Sequence, residues 1–369
     1  MSVKGIRIGR IFGIPVYINL SWLVIFALTI WTMVSNYFPP VWSLTIRIYA
    51  GVITSLLFFA SVILHELMHS IVALRHGVAV RSITLFIFGG VAEIAEESKK
   101  ASDEFVMALV GPLTNLILGI FLIGFWLCSY EIGAGEFIGI VAYWLGVINI
   151  SLAVCNLIPG FPLDGGRMLR SIAWGCSGDL RRATRIASIV GRVVAYGFIV
   201  IGVCIFITGH WFNGIWLVFL GWFLANTATG SYHQVQLNGL LSGHRVKEAM
   251  THGCVTLSPN LEMERLIQEY VLPYGQQCFA VMQGDRLEGI VLLHSLRAMA
   301  CDKYTVAQMM TPIDKLKWVS PDDELVKALS IMREHELSQI PVMDDGRVVG
   351  VINFEILQAF IDLYANFKK

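Results

Sequence analysis

The chain has 369 residues, 56% of them hydrophobic and only 15% charged, with 27 Lys and Arg against 27 Asp and Glu. Soluble domains carry about 25% charged residues, so this composition, with a mean hydropathy of +0.66, excludes an ordinary soluble protein and describes one that uses a lipid bilayer as solvent. The balanced charge supplies no overall field for nucleic acid or an acidic partner.

This length predicts about two to three domains. Charged residues are sparse up to residue 230 and frequent beyond it, which puts a linker at residues 231–243. The seven cysteines (Cys128, Cys155, Cys176, Cys204, Cys254, Cys278 and Cys301) are odd in number and contain no C-x-x-C. They read as free thiols or core fillers, with the soluble part in a reducing compartment.

The start of the chain reads as retained, since Lys4, Arg7 and Arg10 are followed by Gly13-Ile14-Pro15 and no small-residue cleavage site. Gly5 to Asn19 alternates enough to predict a short strand at the membrane surface. Six apolar stretches follow: Leu20 to Phe38, Tyr49 to Leu74, Phe105 to Tyr130, Phe137 to Leu157, Ile186 to Ile207 and Trp211 to Ala228. Each is long enough for a helix to cross about 30 Å of hydrocarbon. With the N-terminus in the cytoplasm, Lys4, Arg7, Arg10, Arg75, Arg81, Lys99, Lys100, Arg167, Arg170, Arg181, Arg182, Arg185, Arg245 and Lys247 all fall inside and only Arg47 outside. The positive-inside bias therefore predicts both termini in the cytoplasm of a multi-pass protein of the cell membrane.

The second stretch contains His65-Glu66-Leu67-Met68-His69. Two histidines four apart on a helix project from one face and can share a metal, and the intervening Glu is placed to act as general base. Ionisable groups inside a membrane cost about 2.5 to 3.5 kcal/mol each on insertion scales and mark functional sites. Three on adjacent turns are explained together by a metal. Counted back from Leu74, the histidines lie roughly 8 to 14 Å deep on the cytoplasmic side.

A hydrolytic zinc takes three protein ligands and leaves one position for water. Two residues compete for the third place. Glu93 follows His69 at the spacing of a second-helix glutamate, but Ile83 to Phe88 is β-rich, and Gly89-Gly90 reads as the turn of a hairpin with Val91 to Ile94. Asp164 lies in Asn156-Leu157-Ile158-Pro159-Gly160-Phe161-Pro162-Leu163-Asp164-Gly165-Gly166, where two prolines break the fourth span. Irregular backbone at membrane depth is tolerated where it lines a cavity.

His65 to His69, the Asn156 to Gly166 stretch, Gly111-Pro112-Leu113-Thr114-Asn115, and the opening Gly9 to Val16 together resemble the site-2 proteases, zinc metalloproteases that cut within membranes. The resemblance covers about residues 5–230. It implies one zinc ion per chain held by His65, His69 and Asp164, with Glu66 as the catalytic base. It also implies a substrate-binding or oxyanion role for Asn156, a part for Asn115 near the site, and transmembrane proteins as substrates. A membrane helix must be unwound before its carbonyls can be attacked. The edge of the hairpin around Gly89 and Gly90 is the expected holder of such a segment, by strand addition.

Beyond the linker, Lys247-Glu248-Ala249-Met250-Thr251 and Ala307-Gln308-Met309-Met310-Thr311 open two similar segments, an internal repeat. The second reads as a strand at Trp318-Val319, a helix over Asp322 to His335, strands at Ile340 to Asp345 and Arg347 to Ile352, and a closing helix. The repeat resembles a pair of CBS domains, here residues 244–302 and 303–369, which implies dimerisation and a place for an adenosine nucleotide. The nucleotide pattern of that family sets Ser or Thr three residues, and Asp six residues, after a glycine. Here those positions are Asn353 and Ile356 after Gly350, and Leu292 and Ser295 after Gly289.

The expected architecture is thus an all-α polytopic membrane domain over residues 1–230, with six transmembrane helices and a short β hairpin, joined to an α+β tandem of CBS domains. The expected function is intramembrane zinc proteolysis, with the CBS pair regulating activity, dimerisation or substrate access. A CBS-regulated transporter or channel is the alternative and predicts polar residues strung across the membrane. A catalytically dead scaffold would normally have lost Glu66 or a ligand.

Overall fold

In a computed structural model of the chain, residues 5–367 are described apart from 88, 95–97, 99, 130, 132, 134, 275–277, 285, 293–303 and 336. Expectations resting on Lys4, Phe88, Lys99, Tyr130, Ser295 and Cys301 lie outside the described residues. The chain divides into two compact units, Met1–Gln234 and Val235–Lys369.

The first unit opens with two antiparallel strands, β1 (Ile6–Ile11) and β2 (Ile14–Ile18). The alternation over Gly5 to Asn19 had predicted one strand. The turn at Phe12-Gly13, both residues at positive φ (49° and 81°), folds it into two. An apolar helix, α1 (Trp22–Thr32), runs on through a π turn to Tyr37. Helix α2 (Leu44–Arg75) follows, capped by Ser43, whose side chain accepts from the Ile46 N–H. Its 32 residues give about 48 Å of helix, more than the hydrocarbon layer requires.

Strands β3 (Val80–Phe86) and β4 (Gly89–Ile94) complete a sheet in the order β1-β2-β3-β4, in which β2 and β3 are parallel and the other pairs antiparallel. The hairpin is where the sequence predicts it, with one correction. Gly89 and Gly90 form the start of β4, paired with Phe86 and Leu85, and do not make the turn. Ile14, Ile83 and Leu67 form one buried cluster, so the apolar face of the sheet packs on α2 beside Glu66.

Helices α3 (Ala101–Cys128), α4 (Glu136–Asn156), α5 (Asp164–Ser177), α6 (Leu180–Ile207) and α7 (Trp211–Leu241) follow. Helices α2, α3, α4 and α6 are long and apolar enough to cross a membrane, and side chains such as Ile117, Ile120 and Phe121 stand exposed on α3, as lipid solvation requires. Trp22–Tyr37 is a shorter apolar helix. Helices α3 and α4 approach closely: a Cβ on Gly119 would lie 3.0 Å from the Gly146 carbonyl oxygen, the small-residue contact by which membrane helices pack without a hydrophobic drive. The amphipathic α5, which ends at Gly178 in the left-handed region (φ 68°), was not read from the sequence. Prolines 159 and 162 mask its start.

Among the described residues, the second unit holds one three-stranded and one four-stranded sheet. Their strands are β5 (Thr251–His252), β6 (Val255–Leu257), β7 (Cys278–Gln283), β8 (Arg286–Leu292), β9 (Thr311–Pro312), β10 (Gln339–Asp344) and β11 (Arg347–Asn353). The order is β10-β11-β5 in the first sheet and β6-β7-β8-β9 in the second. The two repeats are interleaved. Strand β5, at the opening of the first, pairs with β11 of the second, and β9, at the opening of the second, pairs with β8 of the first. Helices Leu325–Glu334 and Phe354–Phe367 agree with the sequence reading of the second repeat. Leu241, at the end of α7, is fully buried in the core formed with Val246, Leu325, Ile340 and Ile352.

The cysteines are not all the free thiols or core fillers that their sequence pattern suggests. The parallel register places Val255 opposite Phe279, which brings the preceding residues together, and Cys254 and Cys278 form a disulfide with their Cα atoms 4.9 Å apart. A separation of 24 residues in sequence gives no sign of this pairing. Cys128, Cys155, Cys176 and Cys204 are free thiols. At the first of the two expected nucleotide positions, the Asn353 side chain is occupied in structure: its Oδ1 accepts the Ile356 N–H at 2.7 Å and starts the last helix.

Candidate metal centre

One turn of α2 carries His65 and His69 on the same buried face, each 4% exposed, with ring centroids 4.7 Å apart. His69 Nδ1 lies 2.5 Å from the Met107 carbonyl oxygen of α3. A carbonyl only accepts, so Nδ1 carries the proton and Nε2 presents a lone pair. That lone pair faces His65 Nε2 at 3.1 Å and Asp164 Oδ2 at 3.2 Å, and Asp164 Oδ2 is also 3.1 Å from His65 Nε2. Asp164 is the first residue of α5, so the broken stretch after Asn156 delivers the carboxylate to the two imidazoles.

Two observations test whether a metal fits. A tetrahedral zinc with donors at about 2.0 to 2.1 Å separates them by about 3.3 Å, close to the three spacings observed. The second comes from α3. A Cβ built on Gly111 would lie 2.2 Å from His69 Nε2 and 2.7 Å from His65 Nε2, so the missing side chain leaves open the space an ion needs beside both nitrogens. Two imidazole nitrogens and a carboxylate oxygen are a zinc-type donor set.

Glu66 is half-buried and is reached from the sheet. Its Oε2 accepts the Ala92 N–H at 3.2 Å, and a Cβ on Gly90 would come within 2.6 Å of Glu66 Cγ. The outer edge of β4 is thereby pressed against this carboxylate. Gly89, one residue earlier, pairs with Phe86. Asn115 lies one helical turn beyond Gly111, fully buried, with neither amide atom hydrogen-bonded among the described residues. Asn156 ends α4, half-buried, at the entrance to the Asp164 turn.

Glu93 stands apart from this group. Its Oε2 accepts from the Ser82 hydroxyl at 3.1 Å, across the hairpin. The sequence reading missed the parts played by Ala92 and Gly111, and by the pair Glu104 and Arg170, in which Arg170 Nε and Nη2 donate to the same oxygen of a fully buried carboxylate. Of these only Gly111 carried a signal, as part of the quoted third-span motif.

Comparison with known proteins follows the same division. The pattern of Peptidase family M50 matches residues 53–139 and 134–198, and that of the CBS domain matches residues 306–360. The chain is 32% identical over 366 residues to the putative zinc metalloprotease Rip3 of Mycobacterium tuberculosis, covering 97% of this chain and 93% of that protein. It is 32% identical over 361 residues to the putative zinc metalloprotease sll0528 of Synechocystis, covering 95% and 93%. Among solved structures it is similar to the site-2 protease from Methanocaldococcus jannaschii, at 28% identity, with 62% of this chain and 95% of that chain covered and a TM-score of 0.44.

Proposed function

The chain belongs to peptidase family M50 and is a metalloprotease, and from that premise we propose that it cuts transmembrane proteins within the bilayer, with His65, His69 and Asp164 holding one zinc ion and Glu66 moving the proton. The observation that carries this reading is the triangle of donor atoms, 3.1 to 3.2 Å on each side, with the open space at Gly111 beside it. Bound there, zinc supplies Lewis acidity for the scissile carbonyl and lowers the pKa of a water toward about 7.

The rest falls to the residues of the chain. Glu66 takes a proton from the attacking water and returns it to the leaving amine. The Ala92 N–H holds its carboxylate in place until then. An unwound substrate segment adds to the open edge of β4 around Gly89 and Gly90, so that its main chain runs past Glu66. Asn156, and Asn115 deeper on α3, offer uncharged amide donors to a polarised carbonyl oxygen.

In this reading the membrane domain spans residues 1–230 and crosses six times, with α1 and α7 adding to the four long apolar helices. The distribution of Lys and Arg supports both termini in the cytoplasm. The CBS tandem over 244–302 and 303–369, whose core takes in Leu241 at the end of α7, serves as a dimerisation and regulatory module. Adenosine nucleotide binding there is disfavoured by Asn353 and Ile356.

The test is cleavage of a single-span model substrate by the purified chain, read together with zinc content. One zinc per chain and cleavage that Glu66→Gln removes are expected. A Glu66→Gln protein that cleaves as well as the native one would overturn the mechanism.

A further inference from the structure

His69 on α2 and Asp164 on α5 are 95 residues apart in sequence, and a metal site demands that their donor atoms meet within a few tenths of an ångström. The first turns of α3 touch both sides of that meeting. Met107 receives the Nδ1 proton of His69. One turn earlier, Glu104 is 1% exposed and accepts from Arg170, with Nε to Oε1 at 2.6 Å and a second donor, Nη2, on the same oxygen. Arg170 lies on α5, six residues after Asp164. Its guanidinium sits over the Phe161 ring, 5.3 Å from the centroid, and Phe161 belongs to the turn that precedes Asp164. The arginine therefore grips α5 and the turn before it at once, and binds both to α3.

Stability alone does not account for this arrangement. A buried ion pair roughly breaks even against apolar side chains of the same volume, because each charge loses its hydration. What the pair provides is direction. Guanidinium is a rigid fork, and holding it between a carboxylate and an aromatic face fixes the rotation and height of the helix that carries it.

We propose that Glu104 and Arg170, with Phe161 beneath the guanidinium, are positioning residues that set the Asp164 carboxylate against His69, so that metal affinity depends on two side chains that never touch the metal. The inference rests on the zinc-site reading above and deepens it. Groups hydrogen-bonded directly to a metal ligand typically alter metal affinity by about 10- to 100-fold, and a pair that orients the helix carrying the ligand is expected to act in the same range.

The experiment uses the full chain in detergent, with Zn2+ as the probe and a chromophoric chelator as competitor. Glu104→Gln keeps the volume of the carboxylate and removes its charge. Glu104→Leu with Arg170→Met removes both charges together and guards against failure to fold, since a fully apolar replacement leaves nothing unpaired. Both proteins are expected to bind Zn2+ about 10- to 100-fold more weakly than native. The visible absorption of the Co2+-loaded protein is expected to shift with them, reporting a changed ligand geometry. In an Asp164→Asn background, Glu104→Gln is expected to cost nothing further, because the group it positions is already lost.

Unchanged Zn2+ affinity in both proteins, or a Glu104→Gln loss that adds in full to that of Asp164→Asn, overturns the positioning role while leaving the zinc site standing. A native chain that holds no Zn2+ overturns the metal centre, and the positioning role with it.

Discussion

The Ala92 main-chain N–H donates to Glu66 Oε2 across 3.2 Å, so the proposed base is held by the free edge of a strand. Ala92 itself is paired with Ile83 in β3, yet this N–H points the other way, out of the sheet and into the site. The edge that holds Glu66 is the same edge proposed to receive substrate.

Ala92→Pro removes that single donor. Proline is tolerated where a strand N–H does not serve the ladder, so zinc content should stay at the native level while cleavage of the single-span substrate falls at least tenfold, about the effect of one lost positioning contact. Native turnover in the Ala92→Pro protein would exclude the edge from the reaction. Proline at Leu85, which is buried and inside the sheet, should reduce cleavage as well but with loss of the fold around α2.

Glu66→Gln keeps the shape of the side chain and the contact with Ala92 but cannot take up a proton. Cleavage should drop by about a hundred- to ten-thousand-fold, with zinc stoichiometry unchanged. Rate measurements on purified protein, alongside metal analysis of the same sample, check both halves.

Gly111→Ala places a methyl group within 2.2 Å of His69 Nε2. Zinc per chain should fall well below that of the native protein, because the helix backbone on one side and the imidazoles on the other leave the methyl nowhere to go. Metal analysis after purification reads this directly.

Removing zinc from the native chain with a strong chelator should abolish cleavage, and returning one equivalent should restore it. Magnesium should not substitute, since imidazole donors suit zinc and Mg2+ prefers oxygen ligands.

Leu241→Ala empties a fully buried position in the core of the second unit. The expected loss is about 2 to 5 kcal/mol, measured as an earlier unfolding transition of the residues 235–369 unit in the full chain. Cleavage by the same protein at low temperature then reports whether the second unit needs to be folded.

The local features of the site were legible in the sequence and the distant ones were not. His65, Glu66 and His69 announce themselves because one helical turn sets their spacing. Asp164 required a choice against Glu93, and the β-rich run around Ile83 already argued that Glu93 sits in a hairpin, where it is found bonded to Ser82. Glu104 and Arg170 are 66 residues apart, and nothing local in either stretch foretells their meeting. The Cys254 and Cys278 bridge is invisible for the same reason, since only the register of β6 on β7 brings the two together. Helix α5 was hidden because its sequence begins among prolines and glycines, which read as loop. The Phe12-Gly13 turn was lost because Ile14, Val16 and Ile18 resume the register of Ile6 and Ile8, so the two strands read as one irregular run.

The exchange of β5 and β9 between the two repeats has a practical consequence for anyone dividing this protein. A cut between residues 302 and 303 would take from each repeat the short strand that closes the other's sheet, leaving β8 and β11 with bare edges. Such edges recruit whatever strand they meet. Fragments made at that boundary should be insoluble, and a soluble fragment of the second unit should begin ahead of Leu241 and keep both repeats on one polypeptide.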